Sequence, residues 1–210
     1  MIHPTRTPLP GQVRDINSYT LASLIQKYPA FTVKSHLVGD NLNQLKKAAQ
    51  ESLELADMLI ISAGSSVSSR DLTSTIINEL GTPGVLTHGL AIKPGKPTII
   101  GLIDSKPIFG LPGNPVSAMV AFDLVVRPTI QVLSGCSQPF CRPTTTARLL
   151  QNIASAPGRE DYVQIKLVTI EGELCAKPIF GKSNLIHTLV RSDGILKIPL
   201  DKSGLYAGEE

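Results

Sequence analysis

A six-residue segment at 110–115 (GLPGNP) constrains the fold most, because it separates a strand-like run from a helix-like run. Two prolines and two glycines within six residues cannot continue a strand or a helix. Asn114 is a favoured N-cap residue and Pro115 a favoured first helical residue, so a helix is predicted to begin there and run to 133. Free backbone N–H groups at such a helix start, with the helix dipole behind them, would suit an anion.

The residues before this segment predict a hairpin and a lysine-bearing loop. The apolar run 98–103 and the shorter run 107–109 are predicted strands joined by a polar turn. Upstream, Lys93 and Lys96 are each followed by a proline, within the sequence KPGKP. Most surface lysines are simply solvated, but a rigid loop loses less conformational entropy when it positions charge. The loop is therefore a candidate site for an oxyanion or a phosphate.

Helix-like and strand-like segments alternate through the first part of the chain. The predicted helices are 19–27, 42–56 and 71–80, and the predicted strands are 31–38, 57–62 and 85–88. This alternation predicts an α/β fold with a parallel sheet flanked by helices. The loops at 39–41, 62–70, 89–97 and 110–115 mostly follow strands. In an open α/β sheet that is the carboxyl edge, where ligands bind.

The pattern changes after residue 133. Residues 134–139 have the composition of a linker, and four short strand-like runs separated by glycine and charged turns follow it. These runs are 144–150, 161–168, 174–178 and 195–199. They predict a small all-β module at the C-terminal end.

Composition excludes several function classes. The net charge is +3, from 20 basic and 17 acidic residues, and aromatic residues make up only 4%, which gives little support for nucleic-acid binding. The apolar runs are shorter than a membrane span, and no secretory signal opens the chain. Three cysteines without a CxxC pattern argue against a zinc site or a disulfide framework. We therefore expect a cytoplasmic protein with neither a nucleic-acid nor a membrane partner.

Two aspartates and a Gly/Ser loop are candidates for ligand binding. Asp40 and Asp71 each stand near the start of a predicted helix, where capping is the ordinary role of such a residue. The alternative is that they hold a hydrated Mg²⁺, which prefers one or two carboxylates together with phosphate oxygens. Residues 62–69 (SAGSSVSS) are either a flexible connection or a loop whose donors approach a phosphate or a pterin edge. Neither a P-loop nor a GxGxxG pattern is present.

Four segments resemble the molybdopterin molybdenumtransferase family, the molybdenum insertases that include bacterial MoeA and the E domain of gephyrin. They are GQVRDINSY (11–19), SAGSSVSSRDLT (62–73), GLAIKPGKP (89–97) and GLPGNPVSAMVAFDLVVRP (110–128), of which the last two are highly specific. APGREDY (156–162) and GKSNLI (181–186) extend the likeness. The resemblance is to the C-terminal half of the family and covers about nine tenths of this chain.

The resemblance implies a domain organisation and a reaction. It implies a tail at 1–10, a three-layer α/β/α molybdopterin-binding domain with a mostly parallel sheet at 11–135, a linker at 136–145 and a small β-barrel domain at 146–210. Family members are homodimeric transferases that insert molybdate-derived molybdenum into adenylylated molybdopterin and release AMP, with Mg²⁺. The alternative for this chain is a non-catalytic module that binds molybdopterin or a nucleotide, or serves as a scaffold.

The resemblance also implies site residues, position by position. It places Asp40 and Asp71 at the metal and pterin site and Lys93 in the same pocket, all three as catalytic residues. The implied ligand-binding residues are Gly64, Ser65, Ser66, Lys96, Gly113, Asn114, Arg159 and Ser183. The last two match residues that face the domain cleft and are linked to molybdate entry.

Three departures from the family pattern accompany this resemblance. Gly89 stands where many members carry a further lysine, which weakens the expected positive pocket. The family's N-terminal half has no counterpart in this chain. A separate N-terminal half or an upstream adenylyltransferase is therefore an expected partner. The chain also ends where the family adds a barrel strand, so a shortened form with an open barrel edge is expected.

Overall fold

The computed structural model describes residues 1–39, 41–62, 67–138 and 142–210, and for 67–71 it describes the backbone alone. The first part of the chain contains helices and strands in alternation. Its helices are α1 (Asn17–Ile25), α2 (Leu42–Leu55), α3 (Val67–Leu80), α4 (Pro115–Ala121) and α5 (Arg127–Leu133). Its strands are β1 (Leu59–Ser62), β2 (Pro83–His88), β3 (Ile92–Lys93), β4 (Ile99–Ile103) and β5 (Lys106–Leu111). The residues predicted as a tail fold back on the chain, through a bridge between Ile2 and Arg14.

Four of these strands form one sheet in the order β1-β5-β4-β2. The pairing of β1 with β5 is parallel, whereas β4 pairs antiparallel with both β5 and β2. The predicted α/β class is confirmed, but the sheet is mixed, because only one of its three described pairings is parallel. The reason for the β4–β5 pairing is local. Asp104 and Ser105 have positive φ angles of 46° and 69°, which close a two-residue hairpin turn.

Two predicted boundaries were wrong in this part of the chain. Helix α3 begins at Val67, so part of the predicted Gly/Ser loop is helical. Residues 31–38 were predicted as a strand, but none is present there. Phe31 is 78% exposed and Val33 is 48% exposed, so their alternating apolar side chains do not cover a sheet face. Alternation predicts a strand only where one face becomes buried.

The helix predicted from 115 to 133 is continuous, with a π-helical turn at Phe122–Val126 between α4 and α5. This turn places Pro128 in the first turn of α5, where a missing backbone N–H is tolerated. By length and composition this helix could cross a membrane, contrary to the expectation that apolar runs are too short. However, 56% of it is buried, and Ala118, Phe122 and Ile130 pack into the core with strand β5. That burial is typical of a core helix.

The C-terminal part is rich in strands, as predicted. Its elements are β6 (Arg148–Leu149), β7 (Ile153–Ala154), β8 (Glu160–Ile170), β9 (Glu173–Pro178), α6 (His187–Val190), β10 (Gly194–Ile198) and β11 (Gly204–Leu205). Strands β10, β8, β9 and β6 form a sheet in that order, and β7 pairs with β11. Leu149, Ile165 and Ile198 are core residues of this part. The described strands of this part do not close into a barrel, so the predicted small β-barrel is not observed.

Strand β3 joins the two parts of the molecule. It pairs in parallel with β8, with Ile92 opposite Glu160 and Lys93 opposite Asp161. The lysine-bearing loop therefore leaves the first sheet and becomes an edge of the second. This connection places the predicted anion loop beside the C-terminal strands.

Candidate functional site

A cleft of about 820 Å³ lies between the α/β part and the C-terminal strands. It is bordered by the lysine-bearing loop, the Gly/Pro loop with the start of α4, strand β8 and the segment 179–184. Of the predicted site residues that the structure describes, five line this cleft, namely Lys93, Lys96, Asn114, Arg159 and Ser183. Residues far apart in the sequence are thus brought together as the resemblance implied.

Two cations that line the cleft, Lys93 and Arg159, share one carboxylate, that of Asp161. Lys93 Nζ lies 3.3 Å from Asp161 Oδ2, and Arg159 Nε lies 2.9 Å from Asp161 Oδ1. The Asp161 side chain is only 4% exposed, whereas those of Lys93 and Arg159 are 58% and 39% exposed. The buried carboxylate therefore orients both cations while it leaves them accessible to an anion from the cleft.

Asp161 was not among the predicted site residues. The signal for it was present in the APGREDY segment, because residues two apart in a strand lie on the same face, and Arg159 and Asp161 have this spacing. The sequence does not reveal that β3 pairs with β8. This pairing places Lys93 directly opposite Asp161. The shared ion pair thus depends on a contact between distant segments.

The start of helix α4 is occupied by the C-terminal part of the chain. Asn114 is at the N-cap position as predicted, but its side chain makes no capping hydrogen bond. Instead, Asn114 Nδ2 donates to Ser183 Oγ at 3.0 Å, and the backbone N–H of Val116 donates to the carbonyl of Ser183 at 3.1 Å. The prediction of free N–H groups at this helix start is therefore wrong for Val116, because the segment around Ser183 reaches the helix end first.

The lysine-bearing loop is closed by hydrogen bonds within the loop and to the strand that follows. The backbone N–H of Leu90 donates to Lys96 O at 2.8 Å, and Thr98 Oγ1 donates to Gly95 O at 2.7 Å. Gly95 has a φ of +114°, and a Cβ there would lie 2.8 Å from a methyl carbon of Ile92. This positive φ and close approach account for glycine at this position.

Among the residues that the structure describes, the cleft is lined by more positive than negative charge. These are the four basic residues Lys93, Lys96, Arg159 and Lys182, against the one acidic residue Asp161. Concave surfaces lined by one sign of charge concentrate ions of the opposite sign. The arrangement is suited to bind a small anion or a phosphorylated ligand.

Tyr162, which also lines the cleft, belongs to a compensated pair. Its hydroxyl donates to Glu160 Oε2 at 2.5 Å. The pKa of Tyr162 is raised, most by burial and next by this hydrogen bond. The pKa of Glu160 is lowered, most by the hydrogen bond from Lys197 and next by that from Tyr162. Near neutral pH Tyr162 is therefore a neutral donor, and the charge of Glu160 is balanced by that of Lys197.

Gly113 is held from outside the cleft by a residue that the site prediction missed. Asn17, at the start of α1, donates from Nδ2 to the carbonyl of Gly113 at 3.1 Å and to Ser62 Oγ at 2.7 Å. Gly113 itself lies between Pro112 and Asn114, which both line the cleft. Asn17 belongs to the GQVRDINSY segment, which carried the resemblance but gave no sign of this contact.

The remaining predicted residues stay predictions. Asp40, Gly64, Ser65 and Ser66 lie outside the described residues, and so does the side chain of Asp71, whose backbone is in helix α3. Thr73, in the same helix and two residues after Asp71, lines the cleft. Among the residues that the structure describes, no group of three or more His, Cys, Asp or Glu side chains could hold a metal ion.

Comparison with known proteins agrees with this architecture. The model of a probable molybdopterin binding domain matches residues 5–132, and the model of the MoeA C-terminal region (domain IV) matches residues 146–210. A crystal structure of a molybdopterin biosynthesis MoeA protein from Pyrococcus horikosii superposes with a TM-score of 0.83 and 34% identity. That match covers 99% of this chain and 49% of the other.

Curated relatives show the same partial coverage. A protein of Methanocaldococcus jannaschii, named for molybdopterin biosynthesis, is 38% identical over 203 residues, which are 96% of this chain and 47% of the relative. The molybdopterin molybdenumtransferase of Haemophilus influenzae is 32% identical over 201 residues, or 95% and 49% of the two chains. The chain thus spans about half the length of the curated relatives it matches. With both domain models matched in this order, the chain belongs to the MoeA family of molybdopterin molybdenumtransferases.

Proposed function

We propose that this chain acts in molybdenum cofactor biosynthesis, where it binds adenylylated molybdopterin and takes part in the insertion of molybdate-derived molybdenum, with release of AMP. The observation that carries the proposal is the cleft in which Lys93 and Arg159, from the two parts of the molecule, are held by the buried carboxylate of Asp161. The match to a probable molybdopterin binding domain and the likeness to a molybdopterin molybdenumtransferase support molybdopterin as the ligand in this proposal.

The chemistry of the cleft supports an anionic ligand of this size. Adenylylated molybdopterin carries phosphate groups and molybdate is an oxyanion, so both would be attracted by the excess of basic residues. The cleft volume of about 820 Å³ is within the range usual for small-molecule sites. The hydroxyl of Ser183 and the positive groups of Lys96 and Arg159 are the proposed contacts for an oxyanion.

In this proposal the protein supplies binding and charge. Lys93 and Lys96 hold the phosphate groups, and positive charge placed before the reaction stabilises negative charge that develops during cleavage of the phosphate bond. Gly113 with Asn114, and Gly64 with its serine neighbours, are proposed to approach the ligand through loop backbone and hydroxyl groups.

A role for Mg²⁺ rests on Asp40 and Asp71 alone. We propose that these two carboxylates hold the ion together with phosphate oxygens of the substrate, as Mg²⁺ commonly prefers. The described residues offer no group of three or more His, Cys, Asp or Glu side chains that could hold a metal. We therefore assign no step of the reaction to the ion.

The partners and the location follow from the same proposal. We propose a cytoplasmic homodimer, with residues 11–135 as the molybdopterin-binding domain and 146–210 as the C-terminal domain. An N-terminal half like that of the relatives, or an upstream adenylyltransferase, is a further proposed partner. A second candidate function, that of a non-catalytic module that binds molybdopterin or a nucleotide, is supported by the match of residues 5–132 to a probable molybdopterin binding domain.

One experiment separates the two functions. The purified chain is incubated with adenylylated molybdopterin and Mg²⁺, with and without molybdate, and both bound ligand and released AMP are measured. AMP release that depends on molybdate supports the enzyme, and ligand binding without release supports the binding module. Absence of both binding and release contradicts the proposal. A Lys93→Ala, Arg159→Ala double variant should lose binding, whereas Lys202→Ala, at a surface ion pair with Glu209, should keep it.

A further inference from the structure

We propose that Asn17 is a positioning residue for this cleft, and that its side-chain amide fixes the Gly/Pro loop relative to the end of strand β1. The identity of the ligand in this inference rests on the proposed function. The hydrogen bonds of Asn17 are part of the fold and do not depend on it. Asn17 is not among the residues expected to bind ligand, and it does not line the cleft. Its effect on a ligand would therefore act through the loops that it holds.

The amide connects the last residue of strand β1 with the loop that follows strand β5. Strands β1 and β5 run in parallel as far as Ser62 and Leu111, which lie opposite each other. After this pair, β1 is followed by residues 63–66 and β5 by the Gly/Pro loop. Asn17 Nδ2 donates to Ser62 Oγ at 2.7 Å and to Gly113 O at 3.1 Å, so a side chain from α1 continues the link where the backbone pairing stops.

The orientation of the amide is fixed by its partner. The carbonyl of Gly113 can only accept a hydrogen bond, so the atom 3.1 Å from it must be the NH₂ group. Both hydrogens of this group are then used, one on Ser62 of β1 and one on Gly113 of the Gly/Pro loop. Among side chains of this size, asparagine is the one that carries two donors on a neutral nitrogen, which accounts for an asparagine at this position.

Packing alone does not explain a polar residue here. Asn17 is only 5% exposed, and its Oδ1 is a buried acceptor without a hydrogen-bond partner among the described residues. Burial of an amide lowers stability unless its hydrogen bonds are made, and the two donor contacts to Ser62 and Gly113 offset that loss. A buried asparagine here is therefore consistent with a residue whose two donors position the segments that it contacts.

The consequence for the cleft is direct. Pro112 and Asn114 flank Gly113 and both line the cleft, and Asn114 also donates to Ser183 across it. Movement of Gly113 would shift these two residues together. Loss of the Asn17 amide should therefore loosen one wall of the cleft without removing any group that touches a ligand.

The test compares Asn17→Ala and Asn17→Asp with Leu21→Ala. Leu21 lies on the same helix and is buried in the core at 6% exposure, so its truncation destabilises α1 without removing the amide. Asn17→Asp keeps the shape but removes both donors, and it serves if the alanine variant is too unstable to purify. Hydrogen–deuterium exchange is measured for peptides that cover 60–66 and 110–115, and AMP affinity is measured by calorimetry.

We expect faster exchange in both peptides for the two Asn17 variants and an AMP affinity about tenfold weaker. Leu21→Ala should lower the thermal midpoint but keep the AMP affinity. Unchanged exchange in either peptide would overturn the inference, as would an equal loss of affinity in Leu21→Ala. If the unmodified chain binds neither AMP nor adenylylated molybdopterin, the proposed function fails, and the exchange data alone then decide whether Asn17 positions the two loops.

Discussion

Lys93 and Asp161 lie opposite each other in the parallel pairing of β3 with β8, with Lys93 Nζ 3.3 Å from Asp161 Oδ2. Arg159 binds the other oxygen of the same carboxylate. Because β3 belongs to the first part of the chain and β8 to the second, the position of both cations depends on how these parts join. The charge pattern of the cleft and the junction between the two parts are therefore one structural feature.

Asp161→Asn should destabilise the protein. We expect the free energy of unfolding to fall by about 2 kcal/mol, because a buried carboxylate loses its charged hydrogen bonds to two cations. Urea unfolding followed by circular dichroism measures this change. Glu173→Gln removes a comparable pair with Arg148, but both of those side chains are well exposed, so it should have much less effect. Equal losses in the two variants would count against a special role for Asp161.

Lys93→Ala should weaken anion binding in a salt-dependent manner. We expect an affinity for AMP about fivefold lower at low ionic strength, and a smaller difference at high ionic strength, because salt screens an exposed charge. Titration calorimetry at two salt concentrations provides the comparison. Lys202→Ala removes a lysine that is 49% exposed and pairs with Glu209 instead, and it is the matched control. A loss that is independent of salt would indicate a structural role for Lys93.

The hydrogen bond between Asn114 and Ser183 should couple the two sides of the cleft. We expect a double-mutant cycle of Asn114→Ala and Ser183→Ala to give a coupling of about 1 kcal/mol in the free energy of unfolding. The backbone bond from Val116 to Ser183 O remains in all variants, so the cycle isolates the side chains. A second cycle with Asn114→Ala and the exposed Ser203→Ala should give no coupling. Similar couplings in both cycles would contradict a direct bond.

Glu160 should make stability depend on pH in the acid range. Its pKa in the folded protein is lowered from the ordinary value of 4.5, so it stabilises the fold above that value. This stabilisation is lost as the pH falls through the folded pKa, because the unfolded chain binds the proton more readily. We expect unmodified protein to exceed Glu160→Gln in stability by less than about 1 kcal/mol at neutral pH, since Glu160 is 25% exposed.

The measurement for Glu160 is urea unfolding over a series of pH values. The difference between unmodified protein and Glu160→Gln should shrink below pH 4.5. Tyr162→Phe, which removes one of the two hydrogen bonds to this carboxyl, should show part of the same effect. A difference that stays constant with pH would mean that the charge of Glu160 contributes nothing.

Asp71→Asn should weaken the retention of ligand in the presence of Mg²⁺. We expect the Mg²⁺ affinity of the complex with adenylylated molybdopterin to fall about tenfold, because a carboxylate that faces the ion would be lost. Ligand retention is measured by gel filtration across a Mg²⁺ titration, with Asp201→Asn, at an exposed position, as the control. Retention equal to that of the unmodified chain at every Mg²⁺ concentration would remove Asp71 from the proposed metal site.

Local chemistry made much of the fold predictable. Proline and glycine restrict the backbone wherever they occur, so residues 110–115 predicted a break and Pro115 predicted the start of a helix. Apolar spacing predicted α2, β1 and the long helix, and the short runs after 133 predicted the C-terminal strands. These features depend on residues that are close in sequence, and the structure confirms them with shifts of a few residues.

Tertiary contacts decided the rest, because the sequence states which residues are polar or apolar but not which surfaces they meet. Residues 31–38 alternate as a strand should, but residues 31–37 are exposed in the described structure and form no strand there. Asn114 has the identity of a helix cap, yet its amide turns to Ser183, which lies 69 residues away. Lys93, Arg159 and Asp161 acquire their shared ion pair only when β3 pairs with β8. The sequence alone thus determined the family and the residue types of the cleft, and the tertiary structure decided which of these residues act on one another.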